Sequence, residues 1–273
     1  MEYVEFLRVR RVFTIFALFV AVIMLLVIAD IVFTWIQGGS ISSFGLSTHD
    51  TSHRNHSNLF TYSATSRVPL SILLGIASYM AIVVATQFAS SLNKENDGLD
   101  YVFVKPVRRE LMAMRFIAID IGGILAIFAF TFAAELVPLA LLHAVDRIVI
   151  DARAIWICGL GLGVAFMWYG VLQAVTASYR GKGGTIVAFS WGIFVALAGL
   201  GYVSALGPIV LGVVHVLNFV NPIAYFSGIV SHVGTFDIDS VLGIPIVARV
   251  PIVWAIAFLS LAIAAISWKR VEA

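Results

Sequence analysis

Charge is scarce in this chain. Lysine, arginine, aspartate and glutamate make up only 12% of its 273 residues, where a soluble domain carries about a quarter. That scarcity excludes a soluble globular protein. The net charge of +2 is too small to attract nucleic acid as a partner. Cysteine is nearly absent: Cys158 stands alone, so no internal disulfide framework exists, and its place in an apolar run reads as a buried, inert thiol. Nucleotide-cradling and hydrolytic signatures are missing too. The pattern G-x-x-x-x-G-K-[ST] does not occur. Its nearest approach, "YRGKGGT" at 179–185, puts glycine after Gly181 and Lys182 where a magnesium-binding hydroxyl belongs, and it reads as a tight cytoplasmic turn. The absence of H-E-x-x-H and G-x-S-x-G weakens an intramembrane hydrolase.

Apolar sequence, by contrast, is plentiful. Hydrophobic residues make up 61% of the chain and the mean hydropathy is +1.01. A helix of about 20 apolar residues crosses a bilayer core of about 30 Å. Six runs meet that need, at 12–36, 68–92, 116–143, 153–178, 184–206 and 247–268. The expectation is an all-α, multi-pass integral membrane protein, one membrane domain over 1–273. The first run is too long for a cleavable signal and no small-residue cleavage site follows it.

Lysine and arginine set the orientation. With the N-terminus inside, the cytoplasmic segments hold Arg8, Arg10 and Arg11; Lys94, Lys105, Arg108, Arg109 and Arg115; Arg180 and Lys182; and Lys269 and Arg270. The outer segments hold Arg54, Arg67, Arg147, Arg153 and Arg249. Both termini are therefore expected in the cytoplasm. The start, "MEYVEFLRVRR" (1–11), reads either as an amphipathic helix on the headgroups or as a plain basic anchor.

Residues 207–246 are too apolar for an open loop, yet Pro208 and Pro222 bracket a piece too short to span. Irregular backbone at membrane depth needs protein or a cavity around it. The expectation is a re-entrant or interfacial hairpin on the outer side between spans five and six. A seventh span would put Lys269 and Arg270 outside.

The most polar stretch is "NKENDGLDYVFVKPVRRE", 93–110, between spans two and three. Gly98 and Pro106 punctuate it. Glu95 and Asp97 make an acidic patch, and Leu99, Val102 and Phe103 recur at helical spacing beside Asp100. A short amphipathic helix of this kind suits docking into a groove of another protein, and a solvated connector is the plainer reading. The stretch resembles the loop between the second and third spans of ABC-2-type transporter permeases. Glu95 falls on that family's acidic position, Leu99 and Asp100 on its Leu-Glu, and Pro106 and Arg109 on its Pro-x-x-Arg. Asp97 and Gly98 stand where the family has Gly-Thr. Six spans with both termini inside, a basic amphipathic start and an outer hairpin holding Asn221-Pro222 extend the resemblance over nearly the whole chain.

The resemblance implies a function. The loop over 93–115 would hold a coupling helix seated on a separate ATP-binding subunit, with Leu99 and Phe103 as anchors. Glu95, Asp97 and Asp100 would pair with basic residues of the partner. ATP and magnesium would bind in two copies of that partner, and this chain would have no ATP site or cofactor of its own. A second permease, identical or similar, would complete an exporter in the plasma membrane of a prokaryote. The scarcity of fixed charge favours a lipid, a hydrophobic drug or a peptide as cargo. Two other readings stay open: a non-transporting anchor for a cytoplasmic complex, and a secondary transporter using Glu135.

Other candidates sit outside that loop. His49, His53 and His56 have spacings that one helical face would need for a metal, but their Ser-, Thr- and Asn-rich surroundings favour a solvated loop. Asp30, Asp120 and Glu135 lie in expected spans, where acids usually face a bundle interior or a cavity. Asp30 and Asp120 lie near span ends, within reach of water or headgroups. Glu135 is deeper and precedes Pro138, which marks it for a path or ion coupling, or for pairing across helices; Asp120 is the second candidate for a path or ion coupling. Gly159, Gly161 and Gly163 permit close helix approach, within the chain or across a dimer. Trp156, Trp168, Trp191, Trp254 and Trp268 read mostly as interfacial anchors.

Overall fold

The computed structural model describes residues 2–36, 43–44, 62–63, 68–91, 109–143, 145–178, 182–200, 207–219, 221–222 and 246–269. Helix α1 runs over Glu2–Ile36. It holds neither glycine nor proline, so nothing interrupts the backbone between the charged start and the span. From Glu2 on, the start read as an amphipathic helix or a basic anchor forms the first turns of one continuous helix. Strands β1 (Ser43–Phe44) and β2 (Tyr62–Ser63) form a small antiparallel pair. Strand β3 (Val68–Pro69) leads into α2 (Leu70–Ser91) and pairs in parallel with β4 (Ile148–Val149). Helix α3 spans Arg109–Leu141 and α4 spans Arg153–Ser178. Helices α5 (Gly183–Leu200), α6 (Pro208–Phe219) and α7 (Ile246–Lys269) complete the described chain.

Five of these helices are long and apolar enough to cross a membrane: α1, α2, α3, α4 and α7. Helix α5 is apolar but shorter, and its expected continuation over 201–206 lies outside the described residues. Helix α3 begins at Arg109, seven residues before the expected span. Pro138 lies inside it, and the helix ends on Leu142 N–H to Pro138 O (3.0 Å) and on His143 in a left-handed conformation (φ 51°).

Helices α2 and α4 form the centre of the bundle. Two thirds of each span is buried (67%), against 6% for α1 and 22% for α7. The core between them holds Ile82, Phe88, Leu160 and Tyr169, with Ile124 and Ile127 from α3 and Val253 from α7. A lipid-facing helix gains nothing from hiding apolar side chains, so packing quality decides the contacts. Close approach is clearest between α4 and α7. The indole of Trp254 donates to Gly159 O (2.8 Å), and the Ser260 hydroxyl donates to Met167 O (3.3 Å). A Cβ on Gly163 would meet Val253 and Trp254, and one on Gly170 would meet the backbone of Ser260 and Leu261. The glycines of "GLGLG" thus serve contact within the chain, with Gly159 and Gly163 both facing α7. Trp168 and Trp254 are packing residues as well: Trp168 is buried against Phe194 at a centroid distance of 4.0 Å, and Trp254 stacks edge-on to Phe166. Trp168 is thus a core residue, and half-buried Trp254 packs against the core, so each serves a helix contact beyond the anchoring role expected of it.

The contacts also give the direction of each helix. Gly159 meets Trp254 and Met167 meets Ser260, so α4 and α7 run the same way. Ser71 meets Asp151 and Ala89 meets Thr176, so α2 runs with them. Leu139 packs with Val68 and Leu73 at the start of α2, while Gly123 meets Phe88 near its end, so α3 runs oppositely. Helix α1 runs with α3, through Val9 on Gly123 and Phe13 on Phe130. Trp168 and Phe194 lie almost equally far from the turn that joins α4 to α5, so α5 opposes α4.

Candidate functional site

The expected coupling residues Glu95, Asp97, Gly98, Leu99, Asp100, Phe103 and Pro106 lie outside the described residues, as do His49, His53 and His56. Arg109 is the first residue of α3. The candidate side chains that the structure places are polar groups inside the bundle, and they fall into two groups at different positions along α3.

The first is built around Asp120. The side chain is fully buried (0% exposed) and accepts a hydrogen bond from Tyr169 Oη at 2.7 Å. Gln173 Nε2 donates to the same phenol oxygen at 3.1 Å. Thr176 continues the series one turn on, with its hydroxyl 3.5 Å from Gln173 Oε1 and 3.5 Å from Ala89 O. Tyr169, Gln173 and Thr176 follow i, i+4, i+7 spacing, which puts them on one face of α4. The result is a polar seam joining α3, α4 and α2. Solvation of Asp120 by water or headgroups, as its position near a span end suggested, is not what the structure has. Asp120 lies eleven residues inside α3 because the helix starts early, and the bundle closes over it. The i, i+4, i+7 stripe of α4 was the available signal for its partners.

A buried acceptor whose donor is removed bears a desolvation cost, although bilayer reference states soften it. Tyr169→Phe is therefore expected to destabilise the folded chain by about 1 kcal/mol. It should appear as a fall of a few degrees in the melting temperature of the chain in lipid nanodiscs. Tyr79→Phe, at a tyrosine that is 41% exposed, should change it little.

The second site is built around Glu135. Fifteen residues separate it from Asp120, which places the two acids about 22 Å apart along α3; the structure does not bring them together. Glu135 is 6% exposed and Thr131, one turn before it, is 2% exposed. Both lie on the buried stripe of α3 that also carries Phe116, Asp120, Ile124, Ile127 and Leu139. Neither carboxylate oxygen of Glu135, nor the Thr131 hydroxyl, has a hydrogen-bond partner among the described residues. Pro138 has no N–H to offer the carbonyl of Ala134, so that acceptor is released on the same part of the helix. The pairing across helices that sequence left open for Glu135 is not found among the described residues.

Two further polar features were missed in sequence. Arg249, counted as an outer charge, is buried at the start of α7 (3% exposed). Asn218 in α6 and Asn221, two residues past its end, both reach α5: Asn218 Nδ2 donates to Leu197 O (3.1 Å), and Asn221 Nδ2 donates to Phe194 O (2.9 Å) and Asn218 Oδ1 (2.8 Å). As the contacts advance from Asn218 to Asn221 they retreat along α5, so this part of the chain runs back along α5. Among the described residues no group of three or more His, Cys, Asp or Glu could hold a metal ion. In comparisons with known proteins, no family model, no curated protein and no solved structure matches this chain.

Proposed function

We propose that this chain is the membrane subunit of an ATP-driven exporter of the ABC-2 permease type, with its ATPase on a separate polypeptide. The observation that carries this reading is the arrangement of helix directions. Helices α1, α3 and α5 run one way and α2, α4 and α7 the other. The start of α1, the end of α2, the start of α3, the end of α4, the start of α5 and the end of α7 then share one side. Most of the lysine and arginine lies there, so that side is the cytoplasm by the positive-inside rule. The parity leaves no net crossing between α5 and α7, which supports six spans, with α6 as one arm of an outer hairpin.

In this reading the 93–110 stretch is the one extended polar surface offered to a cytoplasmic partner between two spans. ATP would close two ATPase subunits on each other. Docked coupling helices would move with them, and α2 and α3, which flank the loop, would carry the displacement into the core around Phe88 and Tyr169. Cargo would pass between this permease and a second copy or a homologue. Its class would be a lipid, a hydrophobic drug or a peptide.

The test is to look for an ABC-type ATPase among the neighbouring genes and to co-express it with this chain. An intact complex should co-purify, hydrolyse ATP, and move a fluorescent lipid or hydrophobic dye across proteoliposomes only with ATP. Transport by the chain alone, driven by an ion gradient, would overturn the reading.

A further inference from the structure

From the unpartnered oxygens of α3, we propose that Glu135 and Thr131 form an intramembrane binding site for a small, hard monovalent cation of the sodium type. The site goes beyond the transport reading and does not depend on it.

The argument starts from cost. An isolated carboxylate inside a bilayer-spanning bundle is expensive, so such acids take up a proton, pair with another group or hold an ion. Glu135 has no such partner among the described residues, although it is only 6% exposed. The neighbouring elements explain why. Helix α2 carries no Asp, Glu, His, Lys or Arg, and its titratable Tyr79 is exposed. Helix α1 carries Glu2, Glu5, Arg8, Arg10 and Arg11 at its far end and Asp30 towards its other end. Helix α7 carries Arg249 in its first turn, but no hydrogen bond from it reaches Glu135.

The donor set then selects the ion. The oxygens present are a carboxylate, a hydroxyl one turn away and the Ala134 carbonyl that Pro138 leaves without its helical N–H. Hard oxygen ligands suit alkali and alkaline-earth ions and not soft metals. A single carboxylate neutralises one positive charge, whereas a divalent ion would leave net charge in the bilayer core. Carbonyls freed at a helix break are the same kind of ligand that binds sodium in other membrane folds.

The test is equilibrium binding of radioactive sodium to the full chain in lipid nanodiscs, with choline as the replacing cation. Wild type should bind saturably, one ion per chain, displaced by unlabelled sodium or lithium but not by choline. Glu135→Gln should lose the binding, and Thr131→Val should weaken it about tenfold. Sodium should also raise the melting temperature of the wild type and not of Glu135→Gln, which reports the site in a folded sample. Absence of saturable binding in the wild type overturns the proposal, as does equal binding by Glu135→Gln. Should Glu135→Gln fail to fold, Thr131→Val decides: unchanged affinity there overturns the site. No ATPase is needed, so this result and the result on ATP-driven transport are independent.

Discussion

Gly170→Leu is expected to abolish recovery of folded protein, and Gly170→Ala to lower stability by about 1–3 kcal/mol. A Cβ at this position would lie 2.8 Å from Leu261 N and 2.9 Å from Ser260 C. These are backbone atoms of α7, so no side-chain rotation relieves the clash. The two central contacts of the α4–α7 interface, Trp254 to Gly159 O and Ser260 to Met167 O, depend on the same separation and would loosen together. Gly192→Ala is the matched control. Nothing lies within 4 Å of its Cβ position, and alanine is the better helix former by about 1 kcal/mol, so stability should hold or rise. Size-exclusion profiles and melting curves of the two variants in one detergent make the comparison.

Leu99→Asp combined with Phe103→Asp is expected to remove co-purification of the ATPase and to reduce ATP-driven transport to background. Both residues are large apolar side chains of the 93–110 stretch, and a charge set into an apolar docking groove costs several kcal/mol. Folding should be unaffected, because the core residues of α2 and α3 are unchanged. Arg109→Ala tests a neighbouring position at the head of α3 and should give a smaller loss. An undiminished complex in the double variant would show that the stretch is a connector.

Much of the bundle was legible because apolar runs long enough to span are a one-dimensional signal. Helices α1, α2, α3, α4 and α7 fall where hydropathy put them, with α1 and α3 starting earlier, in the polar sequence before each span. The glycines of "GLGLG" were legible as close-approach positions, although their partner, α7, could not be named from spacing. What stayed hidden depends on tertiary neighbours. Asp120 looked solvated because its depth depends on where α3 starts, and that start lies in polar sequence. Trp168 and Trp254 have the composition of interfacial anchors, and only a facing Phe194 or Phe166 turns them into helix-contact residues. Glu135 was legible as an unusual acid before a proline. Its lack of a partner was not, since that needs the whole face of α2 and α7 to be known. The folding back of the chain along α5 through Asn218 and Asn221 had a trace in the Asn221-Pro222 pair, but no periodicity announces a side chain that reaches the carbonyls of a preceding helix.

The central claim is that 93–110 is a cytoplasmic surface gripped by an ATPase. Cys158 is the lone cysteine, so Cys158→Ala gives a cysteine-free background, and Asp97→Cys then places a single thiol in the stretch. The measurement is labelling with a membrane-impermeant maleimide in right-side-out and inside-out vesicles, with and without the ATPase subunit. Labelling confined to inside-out vesicles and suppressed when the ATPase is present is the predicted result. Labelling of right-side-out vesicles, or labelling indifferent to the ATPase, would contradict it.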